Sequence, residues 1–182
     1  MKKVRPAEAK SEPKPKRRKK AAPPSERLVI GWREWVALPE LGLGRLKAKA
    51  DSGARTSALH AFHVQVLPDR RVRFRIHPLQ RDAGPTVECS APLVGYRWVR
   101  SSTGHRTRRP VVITRLVIGT AAWPVEITLV RRDLMGFRML LGRRTLHRRL
   151  VVDPSRSHLA GPPKLPAISA AASVATSSSS SS

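Results

Sequence analysis

The strongest structural signal in this chain of 182 residues is Leu46-Lys-Ala-Lys-Ala-Asp-Ser-Gly-Ala54. Apolar and cationic residues alternate up to Ala50, which is the period-two pattern of a half-buried strand. The next three residues, Asp51-Ser-Gly53, form a tripeptide that is typical of a tight turn. This stretch therefore predicts a strand that delivers a carboxylate to a turn.

The surrounding sequence also favours strands. Arg71-Val-Arg-Phe-Arg-Ile-His77 alternates strictly between apolar and polar residues, and 59–67 alternates in the same way. The β-branched segments 111–118 and 123–130 flank Gly119 and predict a hairpin. A short helix is expected only at 144–150, where Leu146 and Leu150 are four residues apart. We expect a mostly-β domain with one short C-terminal helix.

Charge and composition divide the chain into three parts. Lys and Arg total 36 against 12 Asp and Glu, a formal charge of +24. Residues 1–26 are basic and Pro-rich, and 161–182 end in a run of serines, so both tails are expected to be disordered. The folded domain is expected at 27–160, and its length suits a single core.

The same composition excludes several classes of protein. Cys89 is the only cysteine, which excludes a disulfide scaffold or a Cys-rich zinc module. No apolar run approaches the roughly 20 residues of a membrane span, and no apolar stretch follows the basic N-terminus as in a secretory signal. We expect a cytoplasmic protein without membrane contact.

A second segment, Met139-Leu-Leu-Gly-Arg143, indicates which chemistry the Asp51 turn could serve. Either motif alone is more often structural than catalytic. Together, and in this order, they resemble the core of a retropepsin-type aspartic protease, in which an apolar-apolar-Gly strand threads beside an Asp-Thr/Ser-Gly loop. Such enzymes need two carboxylates that share one proton. This chain has one such loop, so the resemblance implies a homodimer that pairs two Asp51 side chains.

The resemblance extends to a particular bacterial family, long labelled ATP-dependent zinc proteases and now viewed as retropepsin-like. It covers about 28–159 and is carried by 30–39, 47–61, 109–112, 140–143 and 152–155. It implies a retropepsin-like half-barrel, with Asp51, Ser52 and Gly53 catalytic and with Ala54, Leu140, Leu141, Gly142 and Arg143 supporting the site. Arg55 replaces the acidic residue usual in retroviral enzymes, which puts in doubt an ion pair with Arg143. Arg55 and Thr56 are candidates for substrate binding.

Metal and nucleotide sites find little support in the sequence. A helical His-Glu-x-x-His is absent, and no phosphate-binding Gly-x-x-x-x-Gly-Lys-Ser/Thr loop occurs. His60 and His63 are three apart, so in one continuous strand they would point to opposite faces. The other histidines are scattered. We expect neither a metal nor a cofactor.

Three hypotheses about function follow. The first is an aspartic peptidase acting on a glutamate-rich or ribosomal protein, because the resembled family is linked with a ligase that adds glutamates to a ribosomal protein. The second is a non-catalytic β module that binds ribosomes or nucleic acid, with sequence-indifferent polyanion contact through 14–20. The third is the zinc-dependent hydrolase that the family label claims. Residues 81–94 are the candidate flap.

Overall fold

The computed structural model describes residues 27–78, 86–100, 104, 106–131 and 136–165. The tail expected at 1–26, residues 166–182 of the tail expected at 161–182, and residues 81–85 of the candidate flap lie outside the described residues. The described chain continues five residues past the boundary expected at 160. Within this extension, the Lys164 backbone N–H donates to the Gly119 carbonyl at 2.7 Å.

Strands make up most of the described chain, which confirms the mostly-β prediction. The only α-helix among these residues, α1, spans Arg143–Leu146, and a single 3-10 turn spans Pro39–Leu41. None of the described helices is long and apolar enough to cross a membrane. The strands are β1 Leu28–Gly31, β2 Arg33–Leu38, β3 Leu43–Asp51, β4 Ser57–His60, β5 Phe62–Val66, β6 Arg71–Ile76, β7 Val87–Arg100, β8 Arg106–Ile118, β9 Ala121–Val130, β10 Met139–Gly142 and β11 Leu150–Asp153.

Nine of these strands form one sheet in the order β2-β3-β10-β4-β9-β8-β7-β6-β5. A contact between Ala37 of β2 and Val117 of β8 curls the sheet back on itself. Strand β10 lies between the two strands that flank the Asp51 turn, parallel to β3 and antiparallel to β4. Its last residue, Gly142, is the register partner of Asp51. The expected threading of the apolar-apolar-Gly strand beside the Asp-Ser-Gly loop is therefore present.

The period-two predictions hold where the strands are regular. In β6, Val72, Phe74 and Ile76 are buried in the core, because alternate side chains of a strand face the same side. The predicted hairpin is β8–β9, whose register pairs Ile118 with Ala121 around a Gly119 that has a φ of +54°. A left-handed residue of this kind suits a two-residue hairpin turn.

Two local predictions were wrong. The strand expected at 59–67 is broken at Ala61 into β4 and β5, and His63 has a φ of +49°. The helix expected at 144–150 ends at Leu146, because Arg148 adopts a φ of +62° and Leu150 pairs in parallel with Leu28 as part of β11. In both places a tertiary strand pairing outweighs the local pattern.

Hydrogen bonds to Glu34 hold the C-terminal segment around Leu159 against the first strands of the domain. This side chain is 1% exposed, and its Oε1 accepts hydrogen bonds from the backbone N–H groups of Gly31, Leu159 and Ala160 at 2.7, 2.8 and 3.3 Å. A buried carboxylate that accepts several N–H groups stabilises a chain crossing, because each bond to a charged group is stronger than a neutral one.

We expect Glu34→Gln to lower the free energy of unfolding by about 2–3 kcal/mol, since the charge-assisted bonds weaken and a buried amide gains N–H groups without an acceptor. Urea denaturation followed by circular dichroism measures this loss. Glu88→Gln is the matched control, because Glu88 is half-exposed and its ion pairs with Arg73 and Arg75 lie at the surface. Equal, small losses in the two variants would contradict the anchoring role.

Candidate active site

The Asp51 turn is closed by its own carboxylate. Oδ1 of Asp51 accepts hydrogen bonds from the backbone N–H groups of Gly53 and Ala54, each at 3.0 Å. This is the local turn that Asp favours, because its short side chain reaches the backbone two or three residues ahead. Asp51 is half-buried and Ser52 and Gly53 are exposed, so the carboxylate is held at a surface from which a second loop could approach.

Arg143 holds the other side of the turn. Its Nη1 donates to the carbonyl oxygens of Ser52 at 2.8 Å and Gly53 at 2.9 Å, and its backbone N–H donates to Ala54 at 2.9 Å. Position 55 holds no acidic partner for Arg143. The Arg143 guanidinium instead binds the carbonyl oxygens of the loop itself. This backbone role was not predicted from the sequence.

Two buried hydroxyls join β4, β10 and α1 beneath the turn. The Gly142 N–H donates to Ser57 Oγ at 3.0 Å, and Ser57 Oγ lies 2.7 Å from Thr145 Oγ1. A Cβ added at Gly142 would stand 2.5 Å from the Thr56 carbonyl oxygen, so glycine is required for this close approach. Sequence reasoning missed Ser57 and Thr145, and nothing in their local pattern separates them from ordinary strand hydroxyls.

A cleft of about 570 Å³, here called the Asp51 cleft, opens at the turn. Of the predicted supporting residues, Leu140 lines this cleft, whereas Leu141 is fully buried in the core. Residues 97–99 of β7 line part of it, whereas the described part of the predicted flap, 86–94, contributes no lining residue. The lining residues are Asp51, Gly53, Ala54, Arg55, Thr56, Ala58, Arg97, Trp98, Val99, Arg109, Thr128, Val130, Leu140 and Arg144.

The cleft is strongly cationic. Four arginines line it: Arg55, Arg97, Arg109 and Arg144. Glu126 of β9 bonds two of them, Arg97 and Arg144, the latter at 3.2 Å. Thr56, the other predicted substrate-binding residue, also lines the cleft, and its Oγ1 lies 3.4 Å from Thr128 Oγ1. A site of this composition favours anionic ligands, because exposed guanidiniums bind carboxylates or phosphates.

The histidines are arranged differently from the prediction. Because the chain breaks at Ala61, His60 and His63 do not point to opposite faces but line one pocket of about 220 Å³ together with His77. The Phe62 ring stacks on His77 at a centroid distance of 4.6 Å and occupies the middle of this group. Within the described ranges, no three His, Cys, Asp or Glu side chains are placed to hold a metal ion.

Cys89 is unsuited to nucleophilic chemistry. Its side chain is buried on β7, and burial, with a smaller contribution from the neighbouring Glu88 charge, raises the pKa of the thiol to about 11. A thiol with this pKa stays protonated near neutral pH, whereas a catalytic cysteine needs an accessible thiolate. Asp51 is therefore the better candidate for the catalytic group.

One Asp-Ser-Gly loop per chain, threaded by an apolar-apolar-Gly strand in a curled sheet, defines the retropepsin class of the acid-protease fold. The chain belongs to the RimB-like family, whose model is described as retropepsin-like aspartic endopeptidase RimB and matches 29–163. The resemblance drawn from the sequence is confirmed. The chain is thus a member of a family of enzymes.

Curated proteins of similar sequence are named as ligases, whereas the family model describes an endopeptidase. The chain is 43% identical over 140 residues to a protein of Parasynechococcus marenigrum and 42% identical over 130 residues to one of Desulfotalea psychrophila, both called probable alpha-L-glutamate ligase. These matches cover 75% and 70% of this chain but only 30% and 28% of those proteins. The chain therefore spans less than a third of the length of the curated relatives that it matches.

A solved structure shares the fold. A Legionella pneumophila protein of unknown function, assigned to DUF785, superposes with a TM-score of 0.63 at 22% identity. The superposition covers 74% of this chain and 99% of the other. At this identity the likeness concerns the fold alone.

Proposed function

We propose that this chain is an aspartic peptidase whose catalytic pair consists of Asp51 from each of two copies. The observation that carries the proposal is the loop itself, since the Asp51 carboxylate is fixed by the Gly53 and Ala54 N–H groups and the loop is held by Arg143 beside β10. This is the arrangement in which an aspartic peptidase presents one carboxylate. A second copy supplies the other.

The reaction follows from two carboxylates within hydrogen-bond distance that share one proton. The ionised carboxylate takes a proton from a water molecule, and the water oxygen forms a bond to the carbonyl carbon of the peptide. The protonated carboxyl donates its proton toward the carbonyl oxygen. The tetrahedral intermediate then collapses, the C–N bond breaks, and the leaving amine takes a proton from the pair.

The preferred substrate is an acidic peptide, and within that class a glutamate-rich one. The four arginines of the Asp51 cleft support this choice, because a carboxylate-bearing substrate would neutralise charge that the cleft leaves in excess. The name of the curated relatives adds a chemical reason. A protein that ligates glutamate makes glutamate-rich chains, which a peptidase of this kind could shorten.

The test is cleavage of a glutamate-rich peptide by the purified full chain, followed by mass spectrometry with and without EDTA. A peptide of the same length with glutamine in place of glutamate is the matched control. We expect cleavage of the glutamate peptide, slower cleavage of the glutamine peptide by at least about tenfold, and no effect of EDTA. Activity that disappears with EDTA and returns with zinc would revive the zinc hydrolase and overturn the proposal.

The name of the relatives favours a second candidate, in which the chain takes part in glutamate ligation. The same assay separates the two when ATP, magnesium and free glutamate are added. Peptide that gains glutamate residues would support ligation, whereas peptide that loses them would support hydrolysis. We expect loss, because the fold and the Asp51 loop are those of the acid-protease class.

A further inference from the structure

We propose that Arg97 and Arg144 together form a binding site for one side-chain carboxylate of the substrate, and that Glu126 positions both arginines for this purpose. This inference rests on the proposed function, since it concerns a peptide bound in the Asp51 cleft. It assigns the preference for acidic residues to a specific pair of side chains rather than to the general positive charge of the protein.

The two arginines come from distant parts of the sequence. Arg97 is on β7 and Arg144 is on α1, and both line the Asp51 cleft. One oxygen of Glu126, Oε2, accepts from Arg97 Nη2 and from Arg144 Nη1. Glu126 does not line the Asp51 cleft but an adjoining pocket of about 740 Å³, so it approaches the pair from outside the cleft.

The charges of this cluster do not balance. Two guanidiniums share a single carboxylate, which leaves one positive charge at the cleft wall. Arg97 Nη1 is also buried, and no hydrogen-bond acceptor for it lies in the described part of the chain. A buried donor without a partner costs free energy, and a charged one costs more. A carboxylate that enters the cleft would neutralise the excess charge, and a turn of the Arg97 guanidinium towards it would satisfy this donor.

The arrangement predicts selectivity rather than affinity for any anion. A guanidinium presents its donors in a planar fork that matches the two oxygens of a carboxylate. A glutamine side chain has nearly the shape of glutamate but offers one acceptor and no charge, so it would leave Arg97 Nη1 poorly satisfied. The pair therefore distinguishes glutamate from glutamine in the Asp51 cleft, and its effect falls on binding rather than on the chemical step.

The experiment measures binding without cleavage. Fluorescein-labelled glutamate-rich and glutamine-rich peptides are titrated with the full-chain Asp51→Asn protein, and anisotropy gives the two dissociation constants. We expect the further substitution Arg144→Gln to weaken binding of the glutamate peptide by about tenfold or more and to leave the glutamine peptide unchanged within about twofold. Arg97→Gln should act in the same way, with its thermal unfolding measured to show that the fold persists.

The matched control is Arg149→Gln in the same Asp51→Asn protein. This change removes one positive charge from the same region, but Arg149 lies over the Trp123 ring in the adjoining pocket and does not line the Asp51 cleft. Equal losses in the Arg144 and Arg149 variants, or equal losses for both peptides, would overturn the carboxylate site. This binding experiment does not measure cleavage. If the Asp51→Asn protein binds selectively but the unmodified protein does not hydrolyse peptides, only the proposed function is contradicted.

Discussion

Asp51→Asn is expected to lower peptide hydrolysis by at least about 1,000-fold while the fold and the proposed dimer remain intact. General acid–base catalysis contributes this order of rate enhancement, and an amide cannot accept the proton of the attacking water. The turn should survive, because an asparagine side-chain oxygen can still accept from the Gly53 and Ala54 N–H groups. Cleavage rates together with sedimentation velocity measure both parts of the prediction.

Mixed dimers make this prediction sharper. If each site needs Asp51 from both copies, a wild-type subunit paired with an Asp51→Asn subunit is inactive. After subunit exchange in an equimolar mixture, only about a quarter of the dimers carry two wild-type chains, so activity per wild-type chain should fall by about half. Unchanged activity per wild-type chain would show that one Asp51 suffices, and a fully active monomer would rule out the paired mechanism.

Gly142→Ala is expected to lower the free energy of unfolding by about 3 kcal/mol, at the upper end of the usual cost of overpacking. The added Cβ would stand 2.5 Å from the Thr56 carbonyl oxygen, so either β10 or the backbone after the Asp51 turn must move. Because Gly142 is the register partner of Asp51, this movement displaces the carboxylate. Hydrolysis should fall by about 100-fold in the protein that remains folded.

Gly44→Ala is the matched control for that substitution. Gly44 lies near the start of β3, the strand that ends at Asp51, and the nearest atom to an added Cβ is the Cδ1 of Leu165 at 3.8 Å, an ordinary contact. Thermal unfolding and initial rates of both variants are compared with the unmodified protein. If Gly142→Ala were as well tolerated as Gly44→Ala, the close approach of β10 to the loop would be unimportant.

The regular strands and the Asp51 loop could be predicted because their signals are local. Alternation in 71–77 reports which side chains face the core, and an Asp-Ser-Gly turn after a strand is contained in one short segment. The resemblance to a family supplied the link between this turn and β10. No periodicity relates two segments so far apart in the sequence.

The features that could not be predicted depend on tertiary contacts. The break at Ala61 and the left-handed His63 arise where the chain leaves one strand pairing for another. The sequence gives no sign of this break, because the alternating pattern expected at 59–67 runs through both positions. The sequence does not distinguish Arg143 from an ordinary surface arginine. Only the fold brings its guanidinium to the carbonyl oxygens of Ser52 and Gly53. The contribution of 97–99 to the lining of the cleft likewise depends on where the paired strands β7 and β8 lie in the fold, which the composition of the chain does not reveal.

The position of β10 between β3 and β4 also constrains the order of events during synthesis. Residues 43–60 leave the ribosome long before 139–142, yet those last residues fill the gap between the two strands. Pairing over such a separation is slow, because a long loop must close before the contacts form. A nascent chain that stops before Met139 lacks the strand that lies between β3 and β4 beside the Asp51 turn. In the peptidase proposed above, the site around Asp51 would therefore be complete only after nearly the whole domain has been translated.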